Sequence, residues 1–185
     1  KYTKNREKIF KFNDLKNEGP FLAIRMEGSK KSIDERINDL HKELDLKNKK
    51  KSILDVHQSV LFWERINNLE IFSNTQNCLI RAVIPPSKCI DLMEYLGKEY
   101  KYYVDWCGSL FWIEMSDISQ EKFSTIKDYV LKLSGYLTVI KNSENLDSIK
   151  DVFTIDETRL KITKKIKESF DPKGIFNPGK MYRSI

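Results

Sequence analysis

The chain contains 185 residues, of which 40% are hydrophobic and 32% are charged, the composition of an ordinary globular protein with a buried core. The sequence argues against a transmembrane span, a secretory signal and a disulfide framework, because it has no long apolar run and only three widely spaced cysteines. The net charge of +6 allows a nucleic-acid partner, but the basic runs 47–51 and 161–165 are separated and mixed with acids, which favours a solvated surface.

The first third of the chain has the pattern of a β-α-β unit. The apolar run "PFLAIRMEG" at residues 20–28 predicts one strand, and "KSILDVHQ" at 51–58 predicts another. Between them, Ser32 and Glu35 have the spacing of a capping box and are followed by apolar residues at helical spacing. Residues 59–72 predict a connecting helix, and residues 1–19 are expected to form a flexible N-terminal segment.

The rest of the chain predicts the order β-α-β-β-α-β, which is the split β-α-β pattern of ferredoxin-like sheets. Strands are expected at residues 78–84, 102–106, 109–115 and 136–140. The two middle strands flank Cys107-Gly108, a short turn that indicates a hairpin.

Two amphipathic helices are expected between these strands. The first begins near Ser87 and ends near Gly97, with three residues facing inward: Ile90, Met93 and Leu96. The second ends at Gly135, and its inward stripe is Phe123, Ile126, Val130 and Leu133.

A last helix and a kinked, apolar tail close the sequence. Thr154 and Glu157 have capping-box spacing before a helix at residues 156–170. The tail "DPKGIFNPGKMY" then combines turn residues with Ile175 and Phe176, which we expect to anchor it in the core. The predicted fold is one α+β domain spanning residues 1–185. It is a ferredoxin-like antiparallel sheet covered by helices on one face, with a C-terminal helix and packed tail.

Few residues in the sequence suggest chemistry by themselves. Arg81 lies in mid-strand between apolar neighbours and could hold a substrate carboxylate by a two-pronged contact, or form a salt bridge on the sheet face. Trp106 and Trp112 could line a pocket or belong to the core. The two histidines, His41 and His57, form no metal motif, and we expect no metal site. Serine-hydrolase, dinucleotide-binding and P-loop motifs are absent from the sequence.

The tail "FDPKGIFNPGKMY" with its preceding helix resembles the C-terminal signature of FAD-linked oxidases of the vanillyl-alcohol oxidase type. Five upstream segments resemble, in the same order, one branch of that superfamily, the FAD-binding E subunit of glycolate oxidase. These segments are "RMEGSKKSIDERINDL", "SVLFWERINN", "IRAVIPPSK", "YYVDWCGSLFWIEM" and "GYLTVIK". The resemblance covers nearly all of the chain from Phe21 onward, and the sequence lacks the histidine pair typical of the sibling D subunit.

This resemblance implies the cap domain of an FAD-dependent oxidase of small 2-hydroxy acids. In that family an N-terminal domain binds most of the FAD, and no such domain is recognisable in these 185 residues. The implied partners are therefore an FAD-binding domain or sibling oxidase subunits, and the isolated chain is expected to be inactive. The expected location is the cytoplasm or the inner face of the membrane.

Within the tail, the resemblance implies that Asn177 contacts the edge of the flavin and that Gly179 lets the backbone approach the cofactor closely. A plain turn, in which Asn177 bonds only to backbone, is the alternative. For the whole chain, two other functions stay open. One is a non-catalytic interaction module that pairs with another chain, and the other is a basic α+β domain that binds nucleic acid.

Overall fold

The computed structural model describes residues 20–44, 52–72, 77–116, 119–141, 152–182 and 184–185. The contacts divide the chain into two compact units, Lys1–Asn74 and Thr75–Ile185. The predicted flexible segment 1–19 lies outside the described residues. None of the helices in the described ranges is long and apolar enough to cross a membrane.

The described part of the first unit is helical. Helix α1 spans Lys30–Glu43, helix α2 spans Val56–Asn67, and a short 3₁₀ turn spans Glu70–Phe72. Helix α2 begins with a complete capping box, because the Asp55 side chain accepts from the Gln58 backbone N–H at 2.8 Å and the Gln58 side chain accepts from Asp55 N–H. Among the described residues of this unit, Phe62, Ile66 and Phe72 are buried.

The predicted β-α-β unit is wrong in the part of the first unit that can be described. Residues 20–28 and 52–55 form no strand there, and α2 begins at Val56, inside the second predicted strand. The three-residue spacing from Asp55 to Gln58 is typical of a helix start, and it outweighs the apolar pattern around it. Helix α2 also ends at Asn67, ahead of the predicted end at residue 72, since Leu69 takes a positive φ of 55°.

The predicted capping residues of two helices are also wrong. Helix α1 is capped by Ser29, whose side chain accepts from the Ser32 backbone N–H, so Ser32 lies inside the helix. The last helix is capped by Asp156, and Thr154 instead exchanges hydrogen bonds with the backbone of Leu137. In each helix, the side-chain oxygen of another residue caps the first turn: Ser29 in α1 and Asp156 in the last helix. The S-x-x-E spacing alone was therefore not sufficient to identify the capping residue.

The second unit contains a four-stranded antiparallel sheet with the order β2-β3-β1-β4, which confirms the predicted ferredoxin-like topology. The strands are β1 at Cys78–Val83, β2 at Lys101–Asp105, β3 at Leu110–Met115 and β4 at Tyr136–Lys141. The helices are α3 at Cys89–Leu96, α4 at Gln120–Lys132 and α5 at Glu157–Phe170. The predicted hairpin around Cys107-Gly108 is confirmed, with a 3₁₀ turn at Trp106–Gly108 between β2 and β3.

The core of this unit lies between one face of the sheet and helices α3 and α4. Strand residues at alternate positions face it, as expected for period-two burial, and they include Ile80, Phe111, Ile113 and Leu137. The predicted stripe of α4, at Phe123, Ile126, Val130 and Leu133, is buried as expected. The prediction for α3 is partly wrong, because Ile90 is 66% exposed and Met93 is also exposed, while Leu92 and Leu96 are buried. Leu92 and Leu96 are four residues apart, about one helical turn, so both side chains lie on the core face.

Candidate functional site

A row of side chains crosses the sheet on the face opposite to α3 and α4. In the register of the sheet, Arg81 on β1 lies opposite Trp112 on β3 and Thr138 on β4, and Trp112 lies opposite Tyr103 on β2. Side chains at directly opposed positions point to the same face of a sheet. The row therefore places one cation among aromatic and hydroxyl groups, away from the hydrophobic core.

Arg81 has an unusual environment within this row. Its guanidinium carbon lies 5.2 Å from the centroid of the Trp106 ring and 6.0 Å from that of Trp112, within the range of cation–π attraction. Its Nε atom is buried and has no hydrogen-bond partner in the described part of the protein. The structure thus brings together all three residues that the sequence suggested for substrate binding: Arg81, Trp106 and Trp112.

The alternative of a salt bridge at Arg81 is not realised among the described residues. The buried acid of this sheet face is Glu114, and it is held by Lys101 at 3.2 Å and by the Asn77 side-chain amide at 3.4 Å. Because Glu114 already has a cationic partner, it leaves Arg81 without a counter-ion on the sheet. An arginine without a counter-ion on a half-buried surface is suited to bind an anionic ligand.

Trp106 is held by a turn in an uncommon conformation. Trp106, Cys107 and Gly108 all have positive φ angles, of 50°, 52° and 94°. The Asp105 side chain accepts from the Trp106 backbone N–H at 2.7 Å, which ties the start of the turn to the end of β2. A Cβ on Gly108 would lie 2.9 Å from the Cys89 Sγ, so the turn also packs closely against the start of α3. Trp106 therefore lies in this turn, one residue beyond β2, and not at the end of a strand as predicted.

Tyr103 extends the aromatic row. Its ring stacks on Trp112 with 6.4 Å between centroids and 21° between planes. Burial, and to a lesser degree the negative charge of Asp105, raises the pKa of Tyr103 to about 12. Tyr103 therefore remains a neutral phenol at physiological pH and does not supply a negative charge to Arg81.

The tail is held by a polar cluster at the end of α5. The buried Asp171 carboxylate accepts hydrogen bonds from the Ile175 and Phe176 backbone N–H groups, both at 2.9 Å, and from the Lys167 ammonium. Lys167 also donates to the Phe176 carbonyl. We call Lys167, Asp171 and the Ile175–Phe176 backbone the Asp171 clasp. The hydrogen bond from Lys167, followed by those from the two N–H groups, lowers the pKa of Asp171 from 3.8 to about 2.

The prediction that the tail is anchored by apolar burial is therefore wrong for this chain. Phe170 is 85% exposed, Ile175 65% and Phe176 68%. The clasp fixes their backbone while their side chains point to solvent. The sequence signal for the clasp was the Asp-Pro-x-Gly turn at Asp171, an acid placed to accept from backbone N–H groups a few residues later.

Asn177 and Gly179 lie in the loop that follows the clasp. Asn177 has a φ of 48°, so it does not adopt the extended conformation that is usual for a residue before proline. Asparagine tolerates this left-handed region better than most residues, which explains its presence here. Gly179 has a φ of 67°, and its N–H donates to the Ile185 carbonyl at 2.7 Å. Asn177 is exposed, and its side-chain amide makes no hydrogen bond within the described residues.

Contacts connect the end of the tail to the row that contains Arg81. Thr138 pairs with Phe153 in an isolated antiparallel bridge, and the Phe153 ring lies 6.2 Å from the Tyr182 ring. Phe153, Tyr182 and Tyr136 of β4 line a shallow cavity of 360 Å³. The tail thus reaches the same region of the second unit as the outer face of β4.

The comparisons with known proteins point to the same segment. No curated protein and no solved structure shows significant similarity to the chain. Residues 153–181 match the family model of FAD linked oxidases, C-terminal domain. This range begins at Phe153 and contains α5, the Asp171 clasp, Asn177 and Gly179. The similarity to FAD-linked oxidases is therefore limited to this segment, which contains the residues predicted to contact the cofactor.

Proposed function

We propose that the chain is the substrate-cap domain of an FAD-dependent oxidase of 2-hydroxy acids, most similar to the E subunit of glycolate oxidase. A flavin-binding domain outside these 185 residues would hold most of the FAD. The residue order from "RMEGSKK" to "GYLTVIK" supports the subunit type, and the match at residues 153–181 supports the oxidase family. The cap would complete the flavin and substrate sites.

The observation that carries this proposal is the construction of the tail. Large apolar side chains at Phe170, Ile175 and Phe176 are exposed on a backbone that the Asp171 clasp has already fixed. Exposed apolar groups on a rigid support are typical of a surface that another protein covers, because little conformational entropy is lost on binding. The family match covers this same surface, so a flavin domain is the expected partner.

Two residues of the tail fit a cofactor contact. The Asn177 amide is exposed and unbonded in the described chain, and it can both donate to and accept from a flavin edge. Gly179, which has no side chain and a φ of 67°, would let the backbone approach the same ligand closely. When bound, FAD would supply the redox chemistry, and the residues of this chain would orient the cofactor and exclude water from it.

Arg81 is the proposed anchor of the substrate carboxylate. Its guanidinium has five N–H donors in a fixed plane, and no carboxylate of the described chain occupies them. Trp106 and Trp112 would wall the site and shield the ion pair from water, which strengthens it. The 2-hydroxy acid would therefore be oriented by this chain while its oxidation depends on the flavin.

The test of this proposal is reconstitution. The chain alone should bind FAD weakly or not at all, because the sequence lacks a phosphate-binding glycine motif. Co-expressed with the reading frames that neighbour its gene, it should co-purify with a flavin domain as a yellow complex that small 2-hydroxy acids bleach. Sub-micromolar FAD affinity of the isolated chain, measured by titration calorimetry, would contradict the proposal that another domain binds most of the FAD.

The same experiment separates the cap from an interaction module. A stable complex with a flavin domain whose flavin is not reduced by any 2-hydroxy acid would favour the non-catalytic module. The exposed apolar tail is compatible with either role, so the reduction of the flavin decides between them.

A further inference from the structure

The Arg81 site contains a feature that substrate binding alone does not require. Arginines on a sheet face are commonly paired with a neighbouring acid, but here Glu114 is held by Lys101. The Arg81 Nε–H is buried, and no described residue accepts a hydrogen bond from it. Within the described ranges, the guanidinium contacts the two indole rings, and Trp106 is the nearer at 5.2 Å. The orientation of the Arg81 plane therefore depends on aromatic contacts.

The nearer of these rings is held by a backbone that few residues adopt. Two non-glycine residues in succession, Trp106 and Cys107, have left-handed φ angles before Gly108 at 94°. Such conformations persist where the surroundings enforce them, and they concentrate at functional sites. Here the enforcing contacts are the Asp105 carboxylate on the Trp106 N–H and the close packing of Gly108 on Cys89.

We propose that the turn Trp106–Gly108 is a positioning element that sets the Trp106 indole against Arg81 and so fixes the plane in which Arg81 binds a carboxylate. A ring that contacts a guanidinium through its π face leaves the N–H donors, which lie in the guanidinium plane, available to a ligand. A planar carboxylate can accept from two of these donors at once, and a tetrahedral phosphate can do the same. The two other phosphate oxygens then stand out of the guanidinium plane, on the side where the indole ring lies, which favours the carboxylate. This inference rests on the proposed function, from which the carboxylate is taken.

The inference is tested on the full 185-residue chain without flavin. In the nitrogen-labelled protein, sodium lactate should shift the Arg81 Nε–H resonance, which is assigned by its loss in Arg81→Lys. Inorganic phosphate at matched ionic strength should bind more weakly. Trp106→Leu should weaken lactate binding about tenfold and remove the preference over phosphate, while Trp106→Phe should keep most of both.

Two further variants complete the comparison. Gly108→Ala should resemble Trp106→Leu, because its Cβ would stand 2.9 Å from the Cys89 Sγ and displace the turn. Ile140→Ala removes an exposed apolar side chain from β4 and should change neither the affinity nor the preference. Thermal melting of each variant shows whether it remains folded, and the Trp106 pair keeps the test valid if Gly108→Ala does not fold.

Each outcome bears on the inference. Unchanged lactate binding and anion preference in Trp106→Leu would overturn the role of the turn, while the Arg81 site and the proposed function would stand. No perturbation of wild-type Arg81 by lactate would overturn the inference as well. Flavin docking through the tail is measured separately and would not be affected by either result.

Discussion

At the residue scale, Asp171 fixes the tail through hydrogen bonds from Lys167 and from the N–H groups of Ile175 and Phe176. We predict that Asp171→Ala releases these groups and increases the hydrogen-exchange rates of the Ile175 and Phe176 amides, because their acceptor is removed. Exchange measured by NMR or mass spectrometry checks this. Glu168→Ala, which removes an exposed acid from the same helix, should leave both amides protected.

The Asp171 clasp should also depend on pH. The folded state holds the pKa of Asp171 at about 2, below the ordinary value of 3.8, so the ionised form is favoured by folding. The resulting stabilisation is present above pH 3.8 and is lost as the pH falls from 3.8 towards 2. In a pH titration, the NMR chemical shifts of the Asp171 carboxyl carbon and of the Ile175 amide should change with the same midpoint, near pH 2. A midpoint at or above 3.8 would mean that the carboxylate is not held as described.

For Asn177, the proposed contact of its amide with flavin is separable from the left-handed conformation of its backbone. We predict that Asn177→Ala makes the loop less stable by about 1 kcal/mol, since alanine tolerates a φ of 48° less well, and increases exchange of the Gly179 N–H about fivefold. Asn177→Gly should retain the loop.

The glycine variant removes the Asn177 amide but should keep the backbone conformation of the loop. If the amide contacts flavin, Asn177→Gly should slow flavin reduction in the reconstituted complex although Gly179 exchange is unchanged. Normal flavin reduction in that variant would remove Asn177 from the cofactor site.

At the element scale, the end of α4 lies unusually close to β1. A Cβ on Gly135 would stand 2.6 Å from the Val83 carbonyl oxygen and 2.6 Å from a methyl group of Ile84. We predict that Gly135→Ala lowers the free energy of unfolding by about 3 kcal/mol, because backbone must move to accommodate it. Chemical denaturation measures this change.

The neighbouring residue provides a matched control for Gly135. Ser134 already carries a Cβ at a φ of 60°, so Ser134→Ala should change the stability by less than about 0.5 kcal/mol. Equal effects of the two substitutions would show that the close approach of α4 to β1 is not what requires glycine.

At the scale of the whole molecule, the tail and α5 expose apolar side chains that a partner is proposed to cover. We predict that replacing Phe170, Ile175 and Phe176 with serine changes the melting temperature of the isolated chain little, because these side chains are mostly exposed in it. The same variant should fail to assemble with the flavin domain, as measured by gel filtration. A large loss of stability in the isolated chain would show that the tail packs against this chain after all.

The sequence determined the second unit to a large extent. The signals that predicted it depend on residues near one another in the chain: the period-two strands, the stripe of α4 and the turn at Cys107-Gly108. The order of these elements along the chain then predicted the split β-α-β topology. The resemblance of the tail to FAD-linked oxidases also followed from a short, dense motif, which the family match at residues 153–181 supports.

The tertiary structure decided what these elements bury and what they leave exposed. Apolar residues such as Phe21 in the segment 20–28 indicated a strand, but a strand needs a partner, and a single sequence does not reveal one. Ile175 and Phe176 were expected in the core because their hydrophobicity can be read from the sequence. The hydrogen bonds of the Asp171 clasp, which hold their backbone at the surface, appear only in the structure. For Arg81, the sequence left substrate binding and a salt bridge on the sheet face both open, and the structure pairs the buried Glu114 with Lys101 instead. Each of these outcomes depends on which distant residues compete for the same contact, and that competition is settled only when the chain has folded.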